Sequence, residues 1–458
     1  MAIQFGTDGW RGIIADDFTF AALRQAARAS AEVLAQYPGS GVLVGYDHRF
    51  LSPEFAQAVA ETLVRAGFTV FLADCAAPTP AISWAVKQMG AIGGLMITAS
   101  HNPASYSGLK VKGYFGGSVP ETITRQIEMR LTETFTDKRG GTLHTFNPWA
   151  AYLTQLRTKV DLTAIAAAPI KVFLDAMHGS GSGGLERLGL PVTTLRANRD
   201  PLFGGVSPEP VAKNLAPAFH VLKGIEERAV VLVLDGDADR IGAINGDGTY
   251  LNCQYLIPLL IDHLTRRRGL TGKVVKTLSG SDLIRRVAQQ RGCPVAETAV
   301  GFKYIAAIME REPVLLGGEE SGGIGFLDHM PERDALLSAL YLLEILAHTP
   351  KTLLELYEDL CLELDFTPVY DRIDVPLPDR AFKTALIARL QAQPPRRVAD
   401  QAVTEHSTVD GHKFQLGDAG WLMIRFSGTE PLLRLYAEGR TTAWVRHTLH
   451  WAKDWALA

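Results

Sequence analysis

Short apolar runs alternate with longer amphipathic stretches along most of this chain. The runs GVLVGYD (41–47), FTVFLAD (68–74) and IGGLMITAS (92–100) have the length and composition of buried β-strands. The stretch PEFAQAVAETLVRAG (53–67) has apolar residues at helical spacing and ends at a glycine, a common helix stop. Strands that alternate with helices in this way predict an α/β fold.

The alternation restarts twice, which indicates several domains. The segment 136–150 mixes charge, glycine and proline, and it precedes a second cycle with strand candidates at 170–177 and 229–237. A third cycle starts near residue 250, and from about residue 363 the pattern becomes that of a small α+β unit. At 458 residues the chain also exceeds what one core usually supports. We predict three related α/β domains and a smaller C-terminal α+β domain, with the boundaries 1–145, 146–249, 250–362 and 363–458.

Composition and charge narrow the class of protein. The chain has 46 basic and 49 acidic residues, so it lacks the excess of positive charge that nucleic acid or an anionic membrane would attract. It shows neither a signal peptide at its N-terminus nor an apolar run long enough to span a membrane. The cysteines form no CxxC pair, which argues against a zinc site or a disulfide framework. We expect a soluble, cytoplasmic enzyme with reduced thiols.

Two loops carry the strongest chemical signals. The first, TASHNP (98–103), is the serine loop, and it places Ser100 and His101 on a tight turn where an apolar strand ends. The second, DGDADR (235–240), is the aspartate loop, and it lies between two apolar strands. Its three alternating aspartates converge carboxylate oxygens on one point, which suits a hard cation such as Mg²⁺.

Two further loops suggest ligand binding. The glutamate loop, GGEESGG (317–323), offers Glu319 and Ser321 between glycines that let a backbone approach a sugar closely. The arginine loop, RFSGTEP (425–431), places a guanidinium, hydroxyls and backbone N–H groups where they can surround a phosphate. Each of these two signals is weak by itself.

Two other motifs compete with these interpretations, a calcium-binding EF-hand at the aspartate loop and a dinucleotide-binding site at residues 179–184. The first does not fit the spacing of the residues, and the second lacks a supporting context. An EF-hand requires Gly at its sixth position and Glu at its twelfth, where this chain has Arg240 and Gly246. The run GSGSGG (179–184) formally satisfies a dinucleotide-binding fingerprint, with Asp200 at about the expected distance. Nothing else in the chain suggests a hydride acceptor, so we set dinucleotide binding aside.

These four loops, in this order and together with GTDGWRG (6–12), resemble the α-D-phosphohexomutase superfamily. The resemblance extends along the whole chain. It implies three related α/β domains and a fourth, smaller domain around a central cleft, to which each domain contributes one loop. It also implies Mg²⁺ as cofactor and a hexose 1,6-bisphosphate as activator or primer.

The resemblance assigns roles to individual residues. Ser100 would be the phosphoserine, and the resemblance implies Mg²⁺ ligands at Ser100, Asp235, Asp237 and Asp239. Lys110 and Arg11 match positions proposed for proton transfer, and His101 adjoins the serine as a further catalytic candidate. Of these we favour Lys110 as the base, because arginine rarely loses its proton. The expected substrate-binding residues are Arg240, Lys303, Glu319, Ser321, Arg425, Ser427, Gly428 and Thr429.

The resemblance favours glucose as the sugar. Glucosamine-phosphate mutases typically show GEQSG in the glutamate loop and the bifunctional branch often shows GEMSGH, whereas this chain has Glu320 and Gly323. The alternatives are a phosphomannomutase or bifunctional glucose/mannose mutase. A phosphoglucosamine mutase, a phosphatase or bisphosphate synthase, and a non-catalytic sugar-phosphate sensor rank lower. We expect small sugar phosphates as partners, a monomer or weak homodimer, and a C-terminal domain that moves as a hinged lid.

Overall fold

The computed structural model describes residues 3–6, 8–426 and 432–458. Its first domain contains the strands β1 (Trp10–Ile13), β2 (Val42–Tyr46), β3 (Thr69–Ala73), β4 (Gly93–Ile97), β5 (Tyr106–Gly113) and β6 (Thr142–Phe146). Its helices are α1 (Phe20–Leu34), α2 (Ser52–Arg65), α3 (Thr79–Met89) and α4 (Glu121–Arg130). The six strands form one sheet in the order β1-β5-β4-β2-β3-β6. Strands β2, β3, β4 and β6 run parallel, whereas β5 pairs antiparallel with both β4 and β1.

The predicted strand at 92–100 is shorter in the structure, since β4 ends at Ile97. Thr98 still donates its N–H to the carbonyl of Gly108 at 3.0 Å, but its hydroxyl then accepts the N–H of Ser100 and starts a turn. This side-chain bond offers the backbone an alternative to the ladder. Ser100 consequently lies on the turn after the strand.

The second domain contains α5 (Pro148–Arg157), α6 (Leu162–Ala167), β7 (Lys171–Asp175), β8 (Val192–Leu195), α7 (Ala216–Val221), β9 (Ala229–Leu234), β10 (Ile241–Asn245) and β11 (Tyr250–Leu251). Its sheet has the order β11-β10-β9-β7-β8. Strands β8, β7 and β9 are parallel, and β10 and β11 are antiparallel additions. Strand β9 is buried along its whole length, as expected of a central strand covered on both faces.

The third domain contains α8 (Cys253–Asp262), β12 (Lys273–Thr277), α9 (Asp282–Gln290), β13 (Val295–Thr298), α10 (Phe302–Met309), β14 (Val314–Gly318), β15 (Ile324–Phe326), α11 (Ala335–Ala347) and α12 (Leu353–Glu363). Its sheet has the order β13-β12-β14-β15, and β15 is the antiparallel member. Helix α11 is buried from Ala335 to Leu346, and its nearly uniform apolar sequence is typical of a helix enclosed on all sides.

The fourth domain contains β16 (Val369–Pro376), α13 (Arg380–Ala392), β17 (Arg397–Val398), β18 (Gln401–Ala402), β19 (Glu405–Ser407), β20 (His412–Gln415), β21 (Gly420–Phe426), β22 (Leu432–Gly439) and α14 (Thr442–Leu457). Five of these strands form an antiparallel sheet in the order β16-β22-β21-β20-β19, and β17 pairs with β18. The predicted fold class, three α/β domains followed by an α+β domain, is confirmed.

The apolar cores show how the domains are joined. One continuous core links the second and third domains and includes one face of the first, whereas the fourth domain has a core of its own. A small apolar cluster of Leu278, Trp421, Met423 and Tyr436 connects the third domain to the fourth. The first three domains therefore share more buried apolar contact with each other than the fourth shares with them.

The loops predicted to carry the chemistry occupy the same place in three sheets. The serine loop joins parallel β4 to antiparallel β5, the aspartate loop joins β9 to β10, and the glutamate loop joins β14 to β15. The arginine loop lies between β21 and β22. The serine, aspartate and glutamate loops are hairpin connections at the ends of buried strands, which is where a sheet presents its loop residues to a cleft. No helix among the described residues combines the length and apolarity needed to cross a membrane.

Candidate active site

The serine loop holds Ser100 in an unusual conformation. Its φ angle is +51°, in the left-handed region that residues other than glycine seldom adopt, and its side chain is fully buried. Its hydroxyl donates to Asp235 Oδ2 at 2.7 Å, and the Nδ1 atom of His101 lies 3.4 Å away. Such strain is characteristic of functional turns that the surrounding structure holds in place.

The aspartate loop folds around the carboxylate of Asp235. The Oδ1 atom of Asp235 accepts the backbone N–H groups of Asp239 at 2.9 Å and Arg240 at 3.1 Å. Ala238, which precedes them, has a φ angle of +53°. These bonds turn the loop back on itself, so the three alternating aspartates face one point, as their spacing predicts.

The aspartate loop also touches the first domain closely. The hydroxyl of Thr79, at the start of α3, donates to Asp237 Oδ2, and the N–H of Thr79 donates to the carbonyl of Asp237 at 2.9 Å. A Cβ atom on Gly236 would lie 2.5 Å from the carbonyl oxygen of Ser100. Only glycine permits this approach of the two backbones.

The three aspartates form a site that fits a hard cation. Their carboxylates offer one ligand atom each within 4.8 Å of one another, and all three side chains are buried. Asp237 Oδ1 and Asp239 Oδ1 have no hydrogen-bond partner although both atoms are buried. Burial, together with the neighbouring carboxylates of Asp237 and Asp239, raises the pKa of Asp235 well above its ordinary value. A divalent cation would satisfy the unpaired oxygens and offset this repulsion.

Lys110 lies against the same carboxylates. On β5 it pairs with Met96 of β4, and its Nζ atom is 2.6 Å from Asp239, 2.8 Å from Asp237 and 2.9 Å from Asp8. Burial acts to lower the pKa of Lys110, but the carboxylates of Asp237 and Asp239 outweigh it and raise that pKa above its ordinary value. Lys110 can therefore act as a base only when these carboxylates are neutralised by another charge.

A buried arginine, Arg333, connects three of the domains. It precedes α11 and forms ion pairs with Asp8 of the first domain, with Asp239 at 2.8 Å and with Glu319 of the glutamate loop at 3.8 Å. Neither Arg333 nor Asp8 is among the site residues predicted from the sequence. Asp8 lies within the GTDGWRG motif, but an arginine before an apolar helix carries no distinctive signal.

The glutamate loop packs on the aspartate loop. Ile241 donates its N–H to the carbonyl of Gly322 at 2.9 Å, and Arg240 forms a β-bridge with Gly323. Burial raises the pKa of Glu319 to about 7, against the opposing effect of Arg333. The Glu319 side chain thus lies near the cation site in a desolvated place, where a carboxyl group can accept from or donate to a sugar hydroxyl.

Glu320 and Ser321 follow on the same loop. The carboxylate of Glu320 accepts hydrogen bonds from Ser279 at 2.6 Å and from Thr277 at 3.2 Å, both at the end of β12. Ser321 is half-buried. Glu320 is thereby fixed to the third sheet.

Positive groups surround the serine. The guanidinium of Arg11, on β1, donates to the Asn102 side chain at 2.5 Å, and Arg240 lies beside the aspartates. Burial and the nearby charges of Arg240 and Arg11 lower the pKa of His101 well below its ordinary value, so His101 is neutral at pH 7. The structure therefore brings Ser100, His101, Lys110, Arg11 and Arg240 into one region with the three aspartates.

Two further predicted ligands are paired with carboxylates outside the four loops. The Nζ atom of Lys303, on α10, is 3.3 Å from Glu121 of α4. Arg425, at the end of β21, donates to Asp410 at 2.8 Å, and the same carboxylate accepts the N–H of Val300 in the third domain at 2.9 Å. Asp410, which the sequence analysis missed, thus positions Arg425 and contacts the neighbouring domain.

Three predicted residues of the arginine loop, Ser427, Gly428 and Thr429, lie outside the described residues. Their role as phosphate ligands stays a prediction. The described ends of β21 and β22 place the two ends of this loop on adjacent strands.

Comparison with known proteins adds independent evidence. Models of the phosphoglucomutase/phosphomannomutase family match the chain as α/β/α domain I at residues 2–138, domain II at 150–248, domain III at 252–363 and the C-terminal domain at 373–450. The chain is 30% identical to a phosphoglucomutase/phosphomannomutase of Thermococcus kodakarensis, over 98% of this chain and 97% of the relative. It is also 30% identical to a phosphoglucosamine/phosphogalactosamine mutase of Sulfurisphaera tokodaii, over 96% of both chains.

The fold agrees with these matches. A crystal structure from Thermus thermophilus, of a protein that carries a phosphomannomutase name, superimposes with a TM-score of 0.88 at 33% identity and covers all of both chains. The four matched domains follow the order of the four domains of the structure. The chain therefore belongs to the phosphoglucomutase/phosphomannomutase family of the α-D-phosphohexomutase superfamily, whose enzymes are phosphohexomutases, that is, intramolecular phosphotransferases.

Proposed function

We propose that this enzyme interconverts hexose 1-phosphates and hexose 6-phosphates, with glucose as the favoured sugar. The phosphoryl group is carried by Ser100, and a hexose 1,6-bisphosphate is the intermediate that also primes the enzyme. One observation carries this proposal: the Ser100 hydroxyl donates to one of three buried aspartates that together form a cation site. A serine hydroxyl beside a site for a divalent cation suits phosphoryl transfer to and from that hydroxyl, because the cation would neutralise charge on the phosphoryl group.

The residues of the chain supply most of what the transfer needs. Asp235, Asp237 and Asp239, with an oxygen on Ser100, would hold Mg²⁺, which supplies positive charge at the transferring phosphoryl group. Arg240 adds positive charge on the same side, and Lys110 is the proposed base, which can release its proton once the charge of the neighbouring carboxylates is neutralised. Phosphoryl transfer depends mainly on positioning and on charge neutralisation. In this proposal the aspartates and the positive side chains supply both, because the fold holds them in place before the substrate binds.

The remaining predicted ligands would hold the sugar and the phosphate that is not reacting. Glu319 and Ser321 bind sugar hydroxyls in this proposal, and Lys303 holds the ligand from the third domain. The bisphosphate must bind in two orientations. The phosphate far from Ser100 therefore needs a binding site that accepts it in both orientations. We assign this phosphate-binding site to Arg425, Ser427, Gly428 and Thr429.

The fourth domain is suited to act as a lid for this reorientation. It has its own apolar core, and it meets the third domain through a small apolar cluster and through hydrogen bonds of Asp410, Lys413 and Glu438. A domain joined in this way can open to let the bisphosphate turn and close to exclude water.

Glucose is favoured because of the residue at position 320. Glu320 occupies the place where glucosamine-phosphate mutases typically have glutamine, and its carboxylate is held by two hydroxyls at the end of β12. Mannose, alone or together with glucose, stays the alternative, and the relatives with phosphoglucosamine mutase names keep glucosamine as a further candidate. We further propose a cytoplasmic enzyme that acts as a monomer or weak homodimer on small sugar phosphates.

A coupled assay tests the proposal. Glucose 1-phosphate, mannose 1-phosphate and glucosamine 1-phosphate are compared as substrates with Mg²⁺ and a trace of bisphosphate primer. Formation of the 6-phosphate at the highest kcat/KM from glucose 1-phosphate is expected. Release of inorganic phosphate without isomer formation would instead indicate a phosphatase, and equal rates with mannose would indicate a bifunctional enzyme.

A further inference from the structure

The arginine that follows strand β2, Arg49, is fully buried beneath the serine loop. Its Nη1 atom donates to the carbonyls of Pro103 at 2.9 Å and Tyr106 at 3.0 Å. Its Nη2 atom donates to the carbonyls of Ser100 at 2.7 Å and Asn102 at 2.6 Å. One guanidinium therefore binds four backbone oxygens, on and beyond the residue predicted to carry the phosphoryl group.

These four bonds account for all the N–H groups on the two terminal nitrogens. The remaining one, on Nε, faces the carboxylate of Asp47 at 3.3 Å. This Nε makes no hydrogen bond, but it is buried against Asp47, and the four N–H groups on the terminal nitrogens are bound to the backbone. The guanidinium therefore presents no N–H group to a substrate. Arg49 consequently acts on the reaction through the backbone of the serine loop.

Arg49 is itself held from two sides. Asp47 Oδ1 accepts the backbone N–H of Arg49 at 2.9 Å and the hydroxyl of Ser52 at 2.7 Å, which fixes the carboxylate beneath the guanidinium. From the second domain, the ring of Phe203 lies 4.9 Å from the guanidinium carbon, and Arg199 donates to the Arg49 carbonyl at 3.1 Å. The guanidinium therefore has a fixed position between two domains.

The serine loop needs such a support. Ser100 has a φ angle of +51°, and a residue other than glycine keeps such a conformation only when its surroundings hold it there. Hydrogen bonds from a charged donor are stronger than neutral ones, and the planar fork binds several acceptors in a fixed geometry. A lysine would offer three donors from a single nitrogen and could not reproduce this pattern.

We propose that Arg49 is a positioning residue for phosphoryl transfer, which holds Ser100 in its left-handed conformation and so sets where the serine oxygen meets the aspartate loop. This inference rests on the proposed function, because it concerns the geometry of that reaction. A displacement of about 1 Å at a reacting atom can lower a rate by on the order of 100-fold. The expected loss lies in turnover, since the side chain of Arg49 contacts the serine loop, Tyr106, Asp47 and Phe203, and none of these belongs to the sugar or phosphate ligands that the structure describes.

The test compares Arg49→Lys, Asp47→Asn and a control, Arg228→Lys, with the wild-type enzyme. Arg228 also donates to two backbone carbonyls, those of Leu346 and Lys351, but it lies outside the four loops. For each protein, kcat and KM for glucose 1-phosphate are measured with Mg²⁺ and primer. The single-turnover rate of Ser100 phosphorylation by glucose 1,6-bisphosphate is followed by intact mass. Circular dichroism and the thermal midpoint report whether each variant is folded.

Arg49→Lys should lower kcat and the phosphorylation rate by about 100-fold while KM changes by less than about threefold. Asp47→Asn keeps the acceptor but removes the charge that faces Nε, so a smaller loss of about tenfold in the same two rates is expected. Arg228→Lys should match the wild type.

Other results would overturn the inference. A folded Arg49→Lys variant with kcat within threefold of the wild type would do so, as would a loss confined to KM. If Arg49→Lys does not fold, Asp47→Asn decides, and a turnover within twofold of the wild type would count against the inference. A wild-type enzyme without mutase turnover would overturn the proposed function and this inference together, whereas an active wild type with an active Arg49→Lys overturns the inference alone.

Discussion

The buried Glu319 offers a test that joins stability to function. Burial raises its pKa from the ordinary 4.5 to about 7. Each pKa unit corresponds to ~1.4 kcal/mol, so the ionised carboxylate costs the folded state about 3 kcal/mol as an upper bound. The folded protein binds this proton between about pH 4.5 and pH 7, and the unfolded chain does not. The free energy of unfolding therefore carries no penalty from Glu319 below about pH 4.5. It falls as the pH rises from there through about 7, where the folded protein must ionise the buried carboxyl group.

Glu319→Gln removes this penalty without changing the shape of the side chain. The variant should gain about 2 kcal/mol more stability relative to the wild type at pH 8 than at pH 5, because most of the penalty appears between these values. Urea unfolding followed by tryptophan fluorescence measures the difference, with EDTA in every sample so that cation binding does not contribute. The variant should also lose kcat/KM, since an amide cannot replace an ionised acceptor for sugar hydroxyls.

Glu344→Gln is the matched control with the opposite sign. Glu344 is also buried, but hydrogen bonds from His263, the Asp161 N–H and Arg268 outweigh burial and lower its pKa to about 2. Its stabilising effect is present above pH 4.5 and is lost as the pH falls through about 2. Glu344→Gln should therefore destabilise the protein at both pH 5 and pH 8, where the wild-type carboxylate is ionised. A Glu319→Gln variant whose stability difference from the wild type is the same at both pH values would refute the reasoning.

Three other outcomes are expected. Ser100→Ala should fold normally and lower turnover by several orders of magnitude, and near-normal turnover would remove the phosphoserine from the mechanism. EDTA should abolish activity and Mg²⁺ should restore it, because three buried carboxylates repel one another without a cation; full activity in excess EDTA would contradict the metal site. Arg425→Ala should raise KM for the monophosphate, lower kcat and release more bisphosphate into solution, since the far phosphate loses its grip. An Arg425→Ala enzyme with unchanged kinetics and no extra release of bisphosphate would exclude this role of Arg425 in phosphate binding.

Local signals in the sequence were sufficient for the α/β class and for the convergence of the three aspartates. The strands are continuous apolar runs, and the aspartates alternate within one loop between buried strands. The run at 179–184 also has a structural explanation. A Cβ atom on Gly179 would lie 2.7 Å from the carbonyl of Gly236, so the run lets two loops pack together.

The long-range polar contacts could not be read from the sequence. Arg333 meets Asp8 across 325 positions, and Arg49 meets Ser100 across 51. Hydrogen bonds of this kind depend on how the sheets are placed in space, and residue type alone does not encode them. The shift in the pKa of Lys110 could not be predicted from the sequence either. Its upward direction depends on carboxylates from two other segments of the chain, those of Asp8 and of the aspartate loop.

In the hairpin of β4 and β5, the length of the serine loop helps to set which side chains of β5 face the aspartates. Strands β4 and β5 are paired in a register that sets Met96 against Lys110, so Lys110 and Lys112 share one face while Leu109 and Val111 share the other. A slip of one residue would exchange these faces and replace two buried cations with two apolar side chains. A one-residue insertion or deletion between Pro103 and Tyr106 that shifted this register would thus turn Lys110 away from Asp239 and Lys112 away from Glu332, although the sequence of the serine loop itself would be unchanged.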